Sequence, residues 1–378
     1  MRPIYLDYNA TTPIAPEVRE AMRPFLDEFF GNPSSSHASG RVCREAMEDA
    51  RSHVASLLGA DRDEIVFTSG GTESNNMAIK GVLLHEDSPA SGHLVISSLE
   101  HPAVTEPAEY LRRSGFAVSV VPCDRSGMVD PRDVEAAIRS DTRLVSVMHA
   151  NNEIGTVQQL REIGAVCRDH GVLFHTDAAQ TVGKIRTNVE ELNVDLLSVA
   201  GHKLYAPKGV GALYVRPSVD LEPLLHGAGQ EGGLRAGTEN VPYAVGLGAA
   251  CALAATTAEA VARRLTTLRD RLLDRLREAI GDTLAVNGSR SACLPNTLSV
   301  NFPSVAGSEL LARVPELCAS TGAACHSTST SLSPTLAAIQ LDPAAARGAV
   351  RLSLGRYTTE QEIDRAAELL IGAWESMA

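Results

Sequence analysis

Short apolar runs alternate with amphipathic stretches between about residues 60 and 215, and this alternation is the main structural signal of the chain. The apolar runs are typical of buried strands. The stretches between them, such as residues 160–170 with Gly171 as a stop, have helical spacing. The pattern predicts an α/β fold with a mostly parallel sheet covered by helices on both faces. The predicted strands are residues 65–68, 94–97, 118–121, 144–148, 172–174, 196–199 and 212–215.

The pattern changes in the last third of the chain. An Ala- and Leu-rich stretch from about Pro242 to Ile280 predicts a long helix with a break. Residues 297–302 and 350–354 then look like strands, and residues 359–374 predict a closing helix. Thr359 would cap that helix, with Glu362 three residues later. We therefore expect a second, smaller α+β unit.

Composition and charge narrow the function classes. The chain has 378 residues, of which 44% are hydrophobic and 21% charged, with a net charge of -12. This is ordinary for a globular protein of about two or three domains. Because no basic stripe is visible, nucleic acid is not an expected partner. No apolar run approaches the roughly 20 residues of a membrane span. Residues 1–7 lack a signal-peptide core, so we expect a cytoplasmic protein without a membrane partner.

The cysteines favour reduced thiols over a disulfide framework or a metal site. They are odd in number, scattered and without a CxxC pair. Six of them are predicted to be small buried hydrophobes, and no metal is expected. The remaining one, Cys325, lies in the Ser- and Thr-rich segment 320–333, which could also be a plain flexible loop. The cysteine positions are 43, 123, 167, 251, 293, 318 and 325.

An acid and a lysine each follow a predicted strand. Asp177 comes after residues 172–174, and Lys203 comes after residues 196–199. Pyridoxal phosphate (PLP) requires such a pair, since a lysine amine forms the Schiff base and a carboxylate partners the pyridinium nitrogen. Taken alone, a lysine after a strand is more often a solvated loop residue. The motifs around it favour the cofactor.

Two more strand ends carry candidate cofactor contacts. The turn Thr68-Ser-Gly-Gly-Thr-Glu-Ser74 opens a helix, where Gly71 would let backbone N–H groups approach a phosphate and Thr72 would add a hydroxyl. The same sequence also suits a glycine-rich turn with capping hydroxyls. His101, after the next strand, could stack on a ring and shuttle protons, or could simply be a solvated loop histidine.

Three further positions have a functional and a plain structural interpretation. Asn152 could donate to a ring hydroxyl or a substrate carboxylate, or belong to an Asn-rich turn. The glycine-rich residues 227–240 could bind phosphate or be a mobile linker. Arg351, within a strand-like run, could fork onto an α-carboxylate or form a structural ion pair.

In their order along the chain, these motifs closely resemble those of the group I cysteine desulfurases. These are nitrogen-fixation and iron–sulfur-cluster type enzymes of aminotransferase class V, and the resemblance extends from residue 4 to about 365. It rests on Asp7-Tyr-Asn-Ala-Thr-Thr12, Gly31-Asn-Pro-Ser34, Thr68-Ser-Gly-Gly-Thr-Glu-Ser74, Glu100-His-Pro102, Asn151-Asn-Glu153, His175-Thr-Asp177-Ala-Ala-Gln180, Gly201-His-Lys203, Arg235-Ala-Gly-Thr-Glu-Asn240 and Gly322-Ala-Ala-Cys325.

The resemblance implies a PLP-dependent transferase type I fold, assembled as a homodimer. It implies a large PLP-binding domain of residues 16–258. A small domain of residues 1–15 plus 259–378 would carry the Cys325 loop. The implied roles are as follows: Lys203 forms the Schiff base, Asp177 holds the pyridinium nitrogen, Gln180 holds the ring hydroxyl, His101 stacks on the ring, Gly71, Thr72 and His202 bind phosphate with Thr238 of the other subunit, Asn152 and Arg351 hold the substrate carboxylate, and Cys325 takes sulfur as a persulfide.

The implied reaction converts L-cysteine to L-alanine. Lys203 would remove the α-proton and the Cys325 thiolate would attack the substrate sulfur, which needs a thiolate on a mobile segment. The sulfur would pass to an acceptor protein such as a cluster scaffold. Two departures from the common pattern stand out. Ala200 occupies a position where many relatives have a phosphate-binding serine, and the cysteine loop reads Ala-Cys-His-Ser, followed by two extra residues.

Three alternatives remain beside the cysteine desulfurase. The Ala-Cys-His-Ser loop also resembles that of selenocysteine lyases, which release selenide from L-selenocysteine. A PLP aminotransferase, in which Cys325 is incidental, would form a second keto product. A non-catalytic sulfur-trafficking scaffold would merely retain the fold, and the intact Lys203, Asp177, His101 and Cys325 argue against it.

Overall fold

The computed structural model describes residues 3–85, 91–321 and 332–377. The strands are β1 (Ile4–Tyr5), β2 (Ile65–Thr68), β3 (His93–Ser97), β4 (Ala117–Val121), β5 (Thr142–Ser146), β6 (Leu173–Asp177), β7 (Leu196–Ala200), β8 (Gly211–Val215), β9 (Ala285–Val286), β10 (Thr297–Asn301), β11 (Leu317–Cys318) and β12 (Ala349–Ser353). The helices are α1 (Pro16–Asp27), α2 (Ala38–Leu58), α3 (Gly71–Leu83), α4 (Pro102–Arg113), α5 (Pro131–Ala137), α6 (Leu160–Asp169), α7 (Val189–Leu192), α8 (Val241–Ile280), α9 (Gly307–Ala312), α10 (Pro334–Ala338), α11 (Pro343–Ala346) and α12 (Glu360–Glu375).

A seven-stranded sheet forms the centre of the large unit, in the order β2-β8-β7-β6-β5-β3-β4. Strands β3 to β7 pair in parallel, whereas β8 is antiparallel to both β2 and β7. The expected α/β class with a mostly parallel sheet is confirmed. Since β2 lies antiparallel to β8, it points the same way as β7. The carboxyl ends of β2, β3, β5, β6 and β7 therefore meet at one edge, where ligands of open α/β sheets bind.

Successive side chains of the strands enter different apolar clusters on the two faces of this sheet. Leu94 and Ile96 pack with α3 and α4, whereas Val95 between them belongs to the cluster that contains residues of α2, α6 and α8. This is the period of two that a pleated strand imposes. Because both faces are buried, the strands read as continuous apolar runs in the sequence.

A separate apolar cluster lies in the smaller unit. It joins Leu6 from the N-terminal segment to the end of α8, the antiparallel sheet β12-β10-β9 and α12. The closing helix has the predicted capping box, because the Thr359 hydroxyl accepts from the N–H of Glu362 while the Glu362 carboxylate accepts from the N–H of Thr359. The domain boundaries at residues 15/16 and 258/259 stay a prediction.

Helix α8 corrects two expectations. It runs without a break from Val241 to Ile280. The hydroxyls of Thr256 and Thr257 donate back to the carbonyl of Leu253 inside the helix, so these residues continue it. With the turn that ends at Thr283, the segment is also long and apolar enough by composition to cross a membrane, contrary to the expectation from the sequence. One such helix is weak evidence for insertion, since core helices pass the same test, and α8 packs along α1 and α2.

The prediction of six buried cysteines was right for four of them. Cys43, Cys123, Cys167 and Cys251 are buried, whereas Cys293 and Cys318 are partly exposed. Cys318 ends the short edge strand β11, where one side remains open. The sequence pattern could not reveal this because edge and central strands share the same residue types.

Candidate active site

The predicted lysine and acid lie side by side at the carboxyl edge of the sheet. Asp177 is the last residue of β6 and not, as expected, beyond it, and it pairs with Ser198 of β7. Lys203 ends the short helical turn that follows β7. The Asp177 carboxylate is 6% exposed and accepts from the Asn75 side-chain amide (2.7 Å) and the N–H of Ala179 (2.9 Å). Neighbouring parallel strands therefore bring the pair together.

The N-terminal segment covers the lysine. The Lys203 Nζ donates to the backbone carbonyls of Asn9 (2.5 Å) and Ala10 (2.9 Å), in the Asp7-Tyr-Asn-Ala-Thr-Thr12 motif. This segment is more than 190 residues away along the chain. The N-terminal segment therefore connects the smaller unit to the sheet edge through the Lys203 amine.

His101 caps α4 after β3, which is separated from β6 by β5 in the sheet. Its Nδ1 accepts from the N–H of Ala103 (3.1 Å), which fixes the ring, although the side chain remains exposed. Surrounding protein lowers the pKa of His101 by desolvation. The nearby Lys203 charge lowers it further, while Asp177 acts in the opposite direction. His101, Asp177 and Lys203 therefore share one electrostatic environment, with a largely neutral imidazole at neutral pH.

The carboxyl group beside His101 is a site feature that the sequence did not suggest. Glu100 Oε1 accepts from the Ser97 hydroxyl (2.5 Å) and the N–H of Met148 (2.7 Å). Its Oε2 is buried without a partner among the described residues. Burial raises the pKa of Glu100 to about 8, so the group is mostly protonated at neutral pH. Glu100 thereby ties β3 to β5 without adding a full negative charge.

The predicted phosphate turn opens α3. Gly70, the N-cap residue, has a φ of 148°, which only glycine adopts readily. The following N–H groups at Gly71 and Thr72 lie in the first helical turn, which is suited to an anion. A Cβ on Gly71 would lie 3.2 Å from the Cβ of Ala200, so the residue that departs from the family pattern lines this cradle.

His202 lies beside the lysine and is held by the N-terminal segment. Its Nδ1 is 3.1 Å from the Thr11 hydroxyl, and its carbonyl accepts from Thr12. Burial, followed by the Lys203 charge, lowers the pKa of His202 to about 4. At neutral pH the imidazole is therefore neutral, and a contact to phosphate would use its N–H dipole and not a full charge.

The two predicted substrate residues also meet. Arg351 of β12 is 3% exposed, and its Nη1 donates to the backbone carbonyl of Asn152 (3.2 Å). Its Nη2 forms an ion pair with Asp7 (2.7 Å), while its Nε is buried without a partner among the described residues. The structural ion pair considered from the sequence is therefore present, and one guanidinium nitrogen retains hydrogen-bonding capacity at the site.

A second lysine extends the network, and the sequence analysis missed it. Lys184 Nζ donates to Gln180 Oε1 (2.9 Å) and lies 3.3 Å from Asn9 Oδ1. Gln180 Nε2 donates to the carbonyl of Asn9 (3.0 Å). Burial, then the charges of Lys203 and Arg351, lower the pKa of Lys184 to about 7. Its contact with the distant Asn9 left no signal in the local sequence.

Thr238 lies in the glycine-rich segment and is exposed. Other residues of this segment form ion pairs within the same chain. Glu231 pairs with Arg51 (2.7 Å), and Arg235 pairs with Glu73 in the first turn of α3 (2.9 Å). Among the described residues, Thr238 forms no hydrogen bond with the phosphate turn. Its predicted role across a dimer interface stays a prediction.

Cys325 falls outside the described residues, but both of its described flanks contact the site. Ser320 exchanges backbone hydrogen bonds with Arg351 (2.6 and 3.3 Å). On the other side, Ser333 donates to Glu153 (2.5 Å), and Thr335 accepts from Asn151 (3.2 Å). The segment that contains Cys325 therefore starts and ends next to the residues predicted to hold the substrate.

The residues present fit the predicted cofactor. Lys184 has two amide oxygens as partners and no carboxylate within ion-pair distance among the described residues. A cation that is largely enclosed by protein is costly without a carboxylate partner. An anionic ligand would supply the missing charge. The α3 N-terminus suits a phosphate, and the Asp177 carboxylate suits a protonated ring nitrogen.

Comparison with known proteins places the chain in a family. The model of the aminotransferase class-V family matches residues 4–366. The chain belongs to the aminotransferase class-V family. It is 48% identical over 371 residues to "Cysteine desulfurase IscS" of Dictyoglomus turgidum, covering 98% of this chain and 94% of the relative. The resemblance identified from the motifs is therefore confirmed.

Solved structures agree with this assignment. The chain superposes on a "NIFS-LIKE PROTEIN" with a TM-score of 0.92 and 37% identity, covering 99% of this chain and 100% of the other. It superposes on "SspA in complex with cysteine" with a TM-score of 0.83 and 39% identity, covering 94% and 99%. The expected type I fold of PLP-dependent transferases is confirmed.

Proposed function

We propose that this protein is a PLP-dependent cysteine desulfurase. It converts L-cysteine to L-alanine and transfers the sulfur to Cys325 as a persulfide. The observation that carries the proposal is the meeting of Lys203, Asp177 and His101 at one sheet edge. This edge lies in a chain that aligns over 98% of its length with a named cysteine desulfurase.

Residues of this chain would hold PLP at both ends. Lys203 is the covalent attachment point, Asp177 partners the ring nitrogen, Gln180 the ring hydroxyl, and His101 stacks on the ring. Gly71, Thr72 and His202 bind the phosphate, with Thr238 of a second subunit. Bound in this way, PLP withdraws electrons from the substrate α-carbon.

The protein side chains supply proton transfer and orientation. Arg351 and Asn152 hold the substrate carboxylate, which places the α-proton within reach of the Lys203 amine. Burial and the nearby Lys203 charge lower the pKa of His202, so its imidazole is neutral. Lys203 can then act as the base while His101 moves a proton at neutral pH.

Sulfur transfer needs a thiolate nucleophile. The Cys325 thiolate attacks the substrate sulfur, an S–S bond forms and the C–S bond breaks. The electron pair of the broken bond remains with the substrate carbon, which takes up a proton and leaves as alanine. The anchoring of both described flanks beside Arg351 and Asn151 supports this role.

Cysteine is favoured over the alternative substrate. The relatives are named cysteine desulfurases, and one solved structure is described as a cysteine complex. A selenocysteine lyase is therefore not favoured. We further propose a cytoplasmic homodimer that delivers sulfur to an acceptor protein such as an iron–sulfur cluster scaffold, as the name of the first relative suggests.

The test is a single incubation with L-cysteine in the presence of PLP. Alanine should form, and mass spectrometry of the protein should map the added sulfur to Cys325. Lys203→Ala should abolish alanine formation. Cys325→Ala should retain the cofactor spectrum but release no sulfide, whereas Cys318→Ala should behave as wild type. A keto acid product, or sulfur mapped to Cys318, would contradict the proposal.

A further inference from the structure

Lys184 stands out because the proposed reaction gives it no task. It is only partly accessible, near Lys203 and Arg351, and both of its hydrogen-bond acceptors are side-chain amide oxygens, of Gln180 and Asn9. Bringing a third cation into this region is unfavourable on its own. We therefore looked for a role of Lys184 in its contacts with the other residues of the cofactor site.

We propose that Lys184 is a positioning residue of the cofactor site, which orients the side-chain amide of Gln180 so that its nitrogen faces the bound ring. This inference rests on the proposed function, because it assigns the orientation to a residue predicted to contact PLP. Lys184 itself does not touch the reacting atoms in this account.

The hydrogen-bond chemistry determines the orientation from two sides. A lysine nitrogen held this way donates, so the Gln180 atom facing it at 2.9 Å must be the oxygen. The carbonyl of Asn9 only accepts, so the Gln180 atom facing it at 3.0 Å must be the nitrogen. The two contacts independently select the same rotation of an amide that could otherwise flip. The second N–H of that nitrogen is then the group that can donate to a ring oxygen.

The shared partner Asn9 links this orientation to the lysine that attaches the cofactor. Its carbonyl accepts from both Gln180 (3.0 Å) and Lys203 (2.5 Å). Its side-chain oxygen also accepts from Asn296 (3.0 Å), and its side-chain nitrogen donates to Thr297 (2.8 Å). These hydrogen bonds hold both the backbone and the side chain of Asn9 in place, so the contacts of Asn9 with Gln180 and Lys184 have a fixed geometry.

The backbone places Lys184 where it can do this. Gln180 and Lys184 lie in one turn, in which the N–H of Lys184 donates to the carbonyl of Thr181 (2.9 Å). Gly183 between them has a φ of 76°, and a Cβ there would lie 3.3 Å from both Ala254 and Leu204. The turn can therefore bring the lysine back onto Gln180 only with glycine at this position.

The readout is the pH at which the visible absorbance of bound PLP titrates in the holoenzyme. Losing the oriented Gln180 donor removes a hydrogen bond to the deprotonated ring oxygen, which raises the proton affinity of the cofactor. Removing a nearby positive charge acts in the same direction. The other titratable or charged groups around the site are unchanged in the variants; they are Lys203, His202, Arg351, Asp177 and His101. We expect Lys184→Met to raise the midpoint by about one pH unit, a tenfold change in proton affinity.

A double-mutant comparison separates orientation from charge. In a Gln180→Ala background the amide is gone, so Lys184→Met should shift the midpoint by less than half as much as in wild type. Lys184→Gln, which restores a donor without the charge, should give a midpoint closer to that of wild type than to that of Lys184→Met. The control is Lys208→Met, which removes an exposed positive charge that also acts on His202 and should leave the midpoint unchanged.

Each outcome decides the inference. Equal shifts in the two backgrounds, or a Lys184→Gln midpoint like that of Lys184→Met, would show a charge effect and overturn the positioning role. An unshifted Lys184→Met would also overturn it. If Lys184→Met retains no cofactor, the midpoint of Lys184→Gln is compared with that of wild type, and a shift of a full pH unit would overturn the positioning role. A wild-type protein without any PLP absorbance would instead contradict the proposed function itself.

Discussion

An aspartate neutralises the arginine that we propose for substrate binding. Arg351 is almost fully buried, and Asp7 occupies its Nη2 at 2.7 Å. The aspartate side chain is itself 20% exposed at the site. Asp7 therefore both fixes the guanidinium and offsets the charge that would attract a substrate carboxylate. These two effects have opposite consequences for binding, and substitutions can separate them.

Asp7→Asn should lower the KM for L-cysteine about fivefold, since it keeps the acceptor oxygen for Arg351 but removes the competing charge; this corresponds to ~1 kcal/mol, as for a partly exposed ion pair. Asp7→Ala should raise the KM, because the guanidinium loses its anchor as well. In both variants kcat should change less than KM. Steady-state kinetics provides the test, and equal KM values for the two variants would contradict the argument.

A second residue-scale prediction concerns Glu100 and pH. In the unfolded chain the carboxyl has its usual pKa of 4.5, whereas the folded-state pKa is about 8. Below pH 4.5 both states hold the proton. Between these values only the folded state does, so this group makes the folded protein less stable as pH rises, by up to about 1.4 kcal/mol per pH unit.

Glu100→Gln removes this penalty and keeps an acceptor for Ser97 and Met148. The stability of the variant relative to wild type should therefore increase from pH 5 to pH 8, as measured by urea unfolding. Exposed Glu278→Gln on α8 serves as the control and should show no such trend. A constant difference between Glu100→Gln and wild type across this range would exclude the raised pKa.

Candidate site residues near strand ends could be predicted from the sequence because their chemistry is local. Lys203, Asp177 and His101 each follow an apolar run, and the carboxyl ends of parallel strands converge. Asn9, Lys184 and Glu100 could not be assigned this way. Their roles come from contacts between segments far apart in the chain or from burial, and neither leaves a pattern in the local sequence.

At the scale of elements, one buried ion pair holds the glycine-rich segment against the sheet. Glu231, with a side chain 3% exposed, accepts from both terminal nitrogens of Arg51 (2.7 and 2.9 Å) and from the N–H of Phe67 in β2 (2.8 Å). Glu231 has a φ of 47°, a conformation that non-glycine residues seldom adopt. The carboxylate contacts therefore keep the segment that contains Thr238 in a strained position.

Glu231→Gln should destabilise the protein by about 1.5–3 kcal/mol, because Arg51 loses two charge-assisted hydrogen bonds and keeps only its pair with the more exposed Glu48. Amide hydrogen exchange at Phe67 should accelerate, since its acceptor is weakened. Exposed Glu259→Gln, which breaks an i,i+4 pair with Arg263, should cost less than about 0.5 kcal/mol in the same unfolding experiment. Similar effects of the two substitutions would show that the buried pair does not hold the segment.

Strands were easier to predict than helix continuity. The apolar runs identified each strand of the large sheet to within a few residues, because burial on both faces leaves continuous apolar stretches in all of them except the half-exposed edge strand β4. In α8, by contrast, the predicted break is absent, and the glycines within the helix are packing residues. A Cβ on Gly246 would lie 2.7 Å from Met22, and one on Gly248 would lie 2.5 Å from Ala50. The glycines allow α8 to approach α1 and α2 closely.

At the scale of the molecule, the surface carries an apolar feature that a single chain leaves uncovered. Phe30 is 90% exposed and Leu26 is 60% exposed, just before the Gly31-Asn-Pro-Ser34 motif. Two strongly exposed large apolar side chains within five residues are typical of an interaction surface. A second copy of the chain is the partner that the predicted homodimer requires.

We therefore predict that Phe30→Asp weakens the proposed homodimer, because a charge placed in its interface would be desolvated without a partner. Sedimentation velocity should give a dimer for wild type and for Leu84→Asp, which changes an exposed leucine outside this segment, but more monomer for Phe30→Asp. If Thr238 reaches the partner's phosphate site, PLP binds the dimer more tightly than the monomer, and added PLP should shift Phe30→Asp back toward dimer by mass action. A monomeric wild type that binds PLP fully would contradict both the interface and the shared site.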